Sequence, residues 1–367
     1  AMIAGVGSTA WAAEITEVAD AADGDDPFDA NLSLRYEFLK DSALITRENT
    51  QQDILERAAT VRVKEMAYER YAHRLVPKLE IGVYHDLAIF VELPIVLSAE
   101  ERTQYAKGTT KDNATLARDQ DPNQAPKIKG WDETEGSGKS GGSDGKFGYP
   151  KLKYNDWRFN HDDSGKFSGY RAGLDRPVFG VKWAPISNGR DITKPTIMLQ
   201  TDYSAPVSAP MHPDTDGLTK AAPGPIDSGA HQFHFAIAMS KRTGVFDPYF
   251  LVDYKLPFAS SGGHPGGQPR HSGGFLLGME IVPYEHEALH QRFAIDVAGA
   301  ARYFSEGRDY SEISDAIRDL TYTDQFMRTE GHLGMTFQPA QFATLQVQGA
   351  FVYNTDHLMT TEDIGKD

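Results

Sequence analysis

The sequence predicts an all-β chain: a transmembrane antiparallel up-and-down β-barrel of about 12 strands when complete, 11 of them visible, with long extracellular loops and short periplasmic turns. Three observations predict it. Apolar residues alternate with polar or small ones along many short stretches, as in Gln232-Phe233-His234-Phe235-Ala236-Ile237-Ala238-Met239-Ser240. Side chains of a strand point alternately to its two faces, so each stretch has one greasy column and one polar column. Long loops and short turns also follow one another in a regular rhythm. Finally, the chain opens on a segment that reads as the remnant of an export signal.

The first strand runs from Asn31 to about Thr46, with Leu32, Leu34, Tyr36 and Phe38 in one column. The second occupies some or all of Val61 to Val83. Tyr84-His85-Asp86 turns into the third, where Leu87, Ile89, Val91, Leu93, Ile95 and Leu97 form the clearest apolar column. A segment from Ala99 to about Tyr170, rich in Gly, Ser and charge, shows no sustained period and reads as one large loop. The fourth strand lies near Arg176–Ile186, and Ser187-Asn188-Gly189-Arg190-Asp191 is a turn signal. The fifth carries Ile197, Leu199 and Tyr203 and the sixth spans His231–Ser240. The seventh carries Phe250, Val252, Tyr254 and Leu256, and the eighth Phe275, Leu277, Met279 and Ile281. Phe293, Ile295 and Val297 mark the ninth, Leu333, Met335 and Phe337 the tenth, and Leu345, Val347, Phe351 and Tyr353 the eleventh. The end at Gly365-Lys366-Asp367 lacks an apolar strand, so a closing strand is expected to lie elsewhere or beyond it.

Composition excludes several classes. The 367 residues are 40% hydrophobic, with a mean hydropathy of −0.47. The longest apolar stretch, Leu87–Leu97, is broken by Glu92 and Pro94 and is too short to cross a bilayer as a helix. Barrel strands need only about ten residues and hide half of them from lipid. There is no cysteine, hence no disulfide framework and no thiolate metal site. A net charge of −15 argues against nucleic acid as a partner. Residues 1–13 read as the remnant of a secretory signal, Ala10-Trp11-Ala12 fitting small-x-small cleavage. Residues 14–30 form an acidic leader, expected to be disordered, and 31–367 the barrel, including loop 99–170.

If the apolar columns face lipid, the opposite columns line the lumen. The candidates for that lining or its constriction are Glu80, Glu92, Lys182, His234, Asp253, Lys255, Glu280, Arg292, Asp296, Arg302 and His332. Charges at membrane depth are costly unless they pair or meet water, so these residues read as a salt-bridge network, a polar constriction, or both. His286-Glu287-Ala288-Leu289-His290 matches the zinc-protease pattern, but that chemistry needs a helix and these residues fall in a turn. The acidic stretch from Asp119 lacks the Gly and the final Glu of a calcium loop. Gly138-Lys139-Ser140 lacks the first Gly of a phosphate loop, and the GxSxG matches around Ser140 and Ser143 lack a flanking strand and helix. No catalytic residue, metal or cofactor is expected.

Leu79-Glu80-Ile81-Gly82-Val83-Tyr84-His85-Asp86-Leu87, followed by Val91-Glu92-Leu93-Pro94-Ile95-Val96-Leu97, resembles bacterial outer-membrane channel proteins of the aromatic-compound or fatty-acid uptake type. Phe179-Gly180-Val181-Lys182-Trp183-Ala184-Pro185 resembles their next hairpin. The resemblance implies the barrel architecture and a broad uptake role, but no particular binding residue. In the fatty-acid group an N-terminal plug fills the barrel, and the leader Glu14–Asp29 is short and apolar-poor by comparison. The expected function is an outer-membrane channel or porin-like protein of a Gram-negative bacterium passing small solutes, hydrophobic or aromatic ones among the candidates, through a partly occluded polar lumen, with outer-membrane lipid and a small-molecule permeant as partners. A closed structural or adhesive barrel and a membrane-embedded hydrolase are the alternatives.

Overall fold

The computed structural model describes residues 2–3, 14–19, 30–52, 58–109, 167–191, 193–213, 219–259, 267–286, 289–317, 320–340 and 342–360. In chain order the strands are β1 (Met2–Ile3), β2 (Ala30–Gln52), β3 (Ala58–Tyr84), β4 (Leu87–Glu92), β5 (Ile95–Tyr105), β6 (Phe167–Leu174), β7 (Val178–Ile186), β8 (Thr196–Ser204) and β9 (Ala230–Ser240). They continue with β10 (Phe246–Ala259), β11 (Ser272–His286), β12 (Gln291–Phe304), β13 (Gly307–Asp309), β14 (Thr321–Thr323), β15 (Phe326–Ala340), β16 (Ala343–Asn354) and β17 (Met359–Thr360). One 3-10 turn (Glu14–Thr16) and one helical turn, α1 (Ser314–Ile317), complete the described elements.

The main sheet is antiparallel, with neighbours in the order β2-β1-β16-β15-β12-β11-β10-β9-β8-β7-β4-β3, and β3 pairs again with β2. The order therefore returns on itself. β4 with β5, and β6 with β7, are two crossing strands that each break once: β4 pairs β7, β5 pairs β6, and both β4 and β5 pair β3. The breaks fall beside Pro94 and Pro177, which have no N–H to give to a ladder. Neighbouring amides bridge the gap, Leu93 N–H to Pro77 O (3.0 Å), Asp175 N–H to Pro94 O (2.9 Å) and Ala205 N–H to Pro177 O (3.0 Å). β2 and β16 run in the same direction, so antiparallel closure needs a strand of opposite sense between them. β1 takes that place, with Met2 opposite Leu34 and Leu345 and Ile3 opposite Ser33 and Thr344.

The two columns separate as the alternation predicts. On β9, Phe233, Phe235 and Ile237 are 39–51% exposed, whereas Ala236, Ala238 and Ser240 on the other face are at most 4% exposed. Leu32, Leu277, Leu333 and Val347 extend the outward apolar belt around the ring. A surface that exposes its large apolar side chains and buries its carboxylates is inverted relative to a water-soluble protein. Such a wall is stable when its outer side meets hydrocarbon.

The strands next to the largest loop are longer than the sequence pattern suggests. β5 continues to Tyr105 and β6 begins at Phe167, so both ends of the stretch read as loop 99–170 are strand. The reason is local: the β5–β6 register shifts between Val96 and Ala99, which puts the alternation out of phase, and Ala99, Glu101 and Thr103 are buried. The first hairpin likewise extends to Gln52 and Ala58. At the HExxH pattern, His286 closes strand β11, Leu289 is in a 3-10 turn and His290 lies in a turn at φ 50°, so the described residues form no α-helix there; Glu287 and Ala288 lie outside them. The motifs at 119–145 also lie outside the described residues.

Between β7 and β8, Asp191 accepts hydrogen bonds from Thr193 N–H (3.0 Å) and Oγ1–H (2.6 Å), with Lys194 Nζ at 3.2 Å. These donors favour the carboxylate and hold its pKa down at about 2. A depressed pKa contributes order that is complete above the ordinary value near 4 and is lost as pH falls through about 2. A carboxyl NMR titration of the folded protein should find Asp191 ionised at pH 3. Replacing Val91 by Arg should lower the yield of heat-modifiable barrel, since a charge facing mid-bilayer lipid costs about 2–4 kcal/mol. Ala300→Ser, on the inner face, should leave that yield unchanged.

Candidate functional site

Every lumen candidate read from the sequence lies in the inward columns, and register brings most of them together. Glu80 faces Phe90 on β4, which is followed across the sheet by Gly180, Asp202, His234 and Lys255. Three groups of charges result.

The first group surrounds Glu80. Its Oε2 meets Lys78 Nζ at 2.9 Å and Lys182 Nζ at 3.0 Å, and Glu92 lies 3.9 Å from Lys78. Both ammonium groups approach the Phe90 ring, at 4.8 and 5.9 Å from its centroid. Residues 15–19, part of the acidic leader, sit against this group inside the ring. Ala19 N–H donates to Glu80 Oε1 (3.2 Å), Lys182 Nζ to Glu17 O (3.4 Å), and the Thr16 and Ser240 hydroxyls meet at 2.8 Å. Val18 and Ala19 pack on Ala88, Ala184, Met198 and Ala238, while Ile15 packs near Tyr249 and Ala298. Small inward residues on four strands make room for this segment near the short-turn end.

The second group lies nearer the long-loop end. His234 bridges two carboxylates, with Nδ1 2.7 Å from Asp202 Oδ2 and Nε2 3.3 Å from Asp253 Oδ2. Arg302 holds Asp253 with both terminal nitrogens (2.7 and 2.9 Å), and Gln200 donates to Asp202 (2.7 Å). Lys255 stands beside them. In the third group Arg292 pairs with Glu280, and the Tyr249 hydroxyl donates to Asp296 (2.6 Å). Tyr249 reaches Asp296 because its ring lies over Gly278 on the intervening strand, where a Cβ would collide with it. His332 stands apart from these groups, 3.1 Å from Glu330. A buried ion pair is maintained only when both partners stay, so these contacts fix the lumen wall.

The long-loop end carries a closure that the sequence gives no means of locating. Arg171, 1% exposed, donates to Asp315 Oδ1 and Oδ2 (2.9 and 3.1 Å) and to Pro225 O (3.0 Å), and lies over the Tyr310 ring. It thereby ties the chain at Pro225 and at Tyr310 and Asp315 to β6. Ile226 and Met211 pack on Ala72, Val96 and Ala99 beneath. Arg171 and Asp315 are 144 residues apart, and no spacing links them in the sequence. Among the described residues no group of His, Asp and Glu has the arrangement of a metal site.

The chain matches no family model and no curated protein sequence. Among solved structures it is similar to the crystal structure of an outer membrane channel from Pseudomonas putida F1, at 9% identity and a TM-score of 0.38, over 89% of this chain and 95% of that one. At that score the likeness does not bear on function. Wall and lumen define the class: a membrane-spanning antiparallel β-barrel with a charged interior.

Arg171→Met should free the two loop segments, because Asp315 would lose its cation while still buried, at a cost of about 3–5 kcal/mol. Limited proteolysis within 205–229 or 305–325 should accelerate, with the heat-modifiable barrel intact.

Proposed function

We propose that the chain is an outer-membrane channel that passes small solutes through a polar, partly occluded lumen. The observation that carries this reading is the pairing of an outward apolar belt with an inward set of charges that still meet solvent, Arg302 being 23% and His234 17% exposed at the side chain. A barrel kept only for its wall could fill its interior with apolar side chains. Ionisable groups at membrane depth are retained where they line a path for water or solute. The long-loop end then faces outward from the cell and the short-turn end faces the periplasm, in the usual arrangement of such barrels. Residues 15–19 and the Arg171 closure are two restrictions in series along that path. The chemistry is passage rather than catalysis.

A second reading, a closed structural or adhesive barrel, draws on those same two restrictions. Conductance separates the two. Replacing residues 15–19 by a Gly–Ser stretch of equal length removes the contacts to Glu80, Ser240 and the alanine floor without shortening the chain. The channel reading expects single-channel current in planar bilayers from the native chain and larger current from this variant. Silence from both, with the barrel folded, would decide for the structural reading.

A further inference from the structure

Lys255 differs from the other inward charges. Asp253, two residues earlier on the same face, has both oxygens on Arg302 and also meets His234; Asp202 is held by His234 and Gln200. Lys255 has no hydrogen bond or ion pair among the described residues. The charges that act on it most strongly are Arg302, then Asp253 and Asp202, then Arg176. It is half-buried, opposite His234 on one side and Ser272 on the other, and the neighbours of Asp253 across the sheet are only Ala236 and Gly274. At Gly274 a Cβ would press on the backbone and Cβ of Arg302, so this small residue lets Asp253 reach Arg302 across a whole strand. The result is a fixed wall of paired charges beside which the Lys255 ammonium makes no hydrogen bond or ion pair with any described residue.

A cation so placed in a half-desolvated lumen is stabilised by whatever anion reaches it. Two carboxylates in its field would repel a second negative charge, so the fitting ligand is singly charged. We propose that Lys255, with Arg302 and Arg176 as the neighbouring cations, is a binding station for the carboxylate of a small organic acid, located in the lumen between the Arg171 closure and residues 15–19. This names a substrate class for the channel and rests on the reading of the lumen as a solute path.

The test uses the full chain folded in detergent micelles, with benzoate as the probe and binding followed by ligand-detected NMR and calorimetry. Wild type should bind benzoate. Lys255→Met should weaken binding about ten-fold or more, the loss of one charge-assisted hydrogen bond, and Lys255→Arg should largely restore it. Inorganic phosphate, mostly doubly charged at pH 8, should compete poorly. Absence of benzoate binding by wild type, or equal binding by wild type and Lys255→Met, overturns the proposal. Should Lys255→Met lose its heat-modifiable form, Lys255→Gln serves for the same comparison. Benzoate binding without any bilayer current would leave the station standing and remove the channel; current without benzoate binding would do the reverse.

Discussion

Inside a bilayer no water is available to an unpaired N–H or C=O, and each such group costs several kcal/mol. An extended chain satisfies its backbone there only if each strand is paired on both edges, that is, if the sheet returns on itself. The rest of this molecule follows from that constraint. The order from β2 round to β3 and back to β2 leaves each crossing strand two neighbours. At the proline breaks, displaced amides still find the carbonyls of Pro77, Pro94 and Pro177. At the seam, where β2 and β16 run the same way, the short β1 supplies the opposite direction over two residues on each side. That seam has the fewest ladder pairs in the ring.

A wall closed in this way faces two solvents, and side-chain alternation sorts residues between them. The outward column is apolar because it meets lipid. The inward column is free to be polar, but long inward side chains reach partners on the neighbouring strand or on the one beyond it. Charges of opposite sign therefore end up paired: Glu80 with Lys78 and Lys182, Asp253 with Arg302, Glu280 with Arg292. Apart from Glu80–Lys78, which lies within β3, each pair joins two strands and so braces the cross-section. Two elements that are not part of the wall pack against it from within, residues 15–19 near one end and the chain held by Arg171 near the other.

Much of the wall was legible in the sequence because a period of two is a local property. Phe233 faces out and His234 in whatever the distant chain does, and the inward set from Glu80 to His332 follows from the same counting. The alternation ceased to be legible where the ladder shifts register, between Val96 and Ala99, since one extra residue inverts the phase. There, strand looked like loop. The acidic leader gave no hint of its place because Thr16, Val18 and Ala19 are held by complementarity to small residues on other strands, which no local pattern encodes.

What the sequence determined by itself was therefore the class of the chain and the two faces of its strands, since backbone geometry alone sends successive side chains to opposite sides. Only the tertiary structure decided which inward charges meet. Cross-strand register places Asp202, His234, Asp253 and Arg302 in one group and leaves Lys255 beside it with no hydrogen bond or ion pair among the described residues. It also brings Arg171 to Asp315 across 144 residues. Register is set by the closure of the whole ring and by bulges and turns acting together, and long-range contacts of that kind leave no periodic mark on the chain.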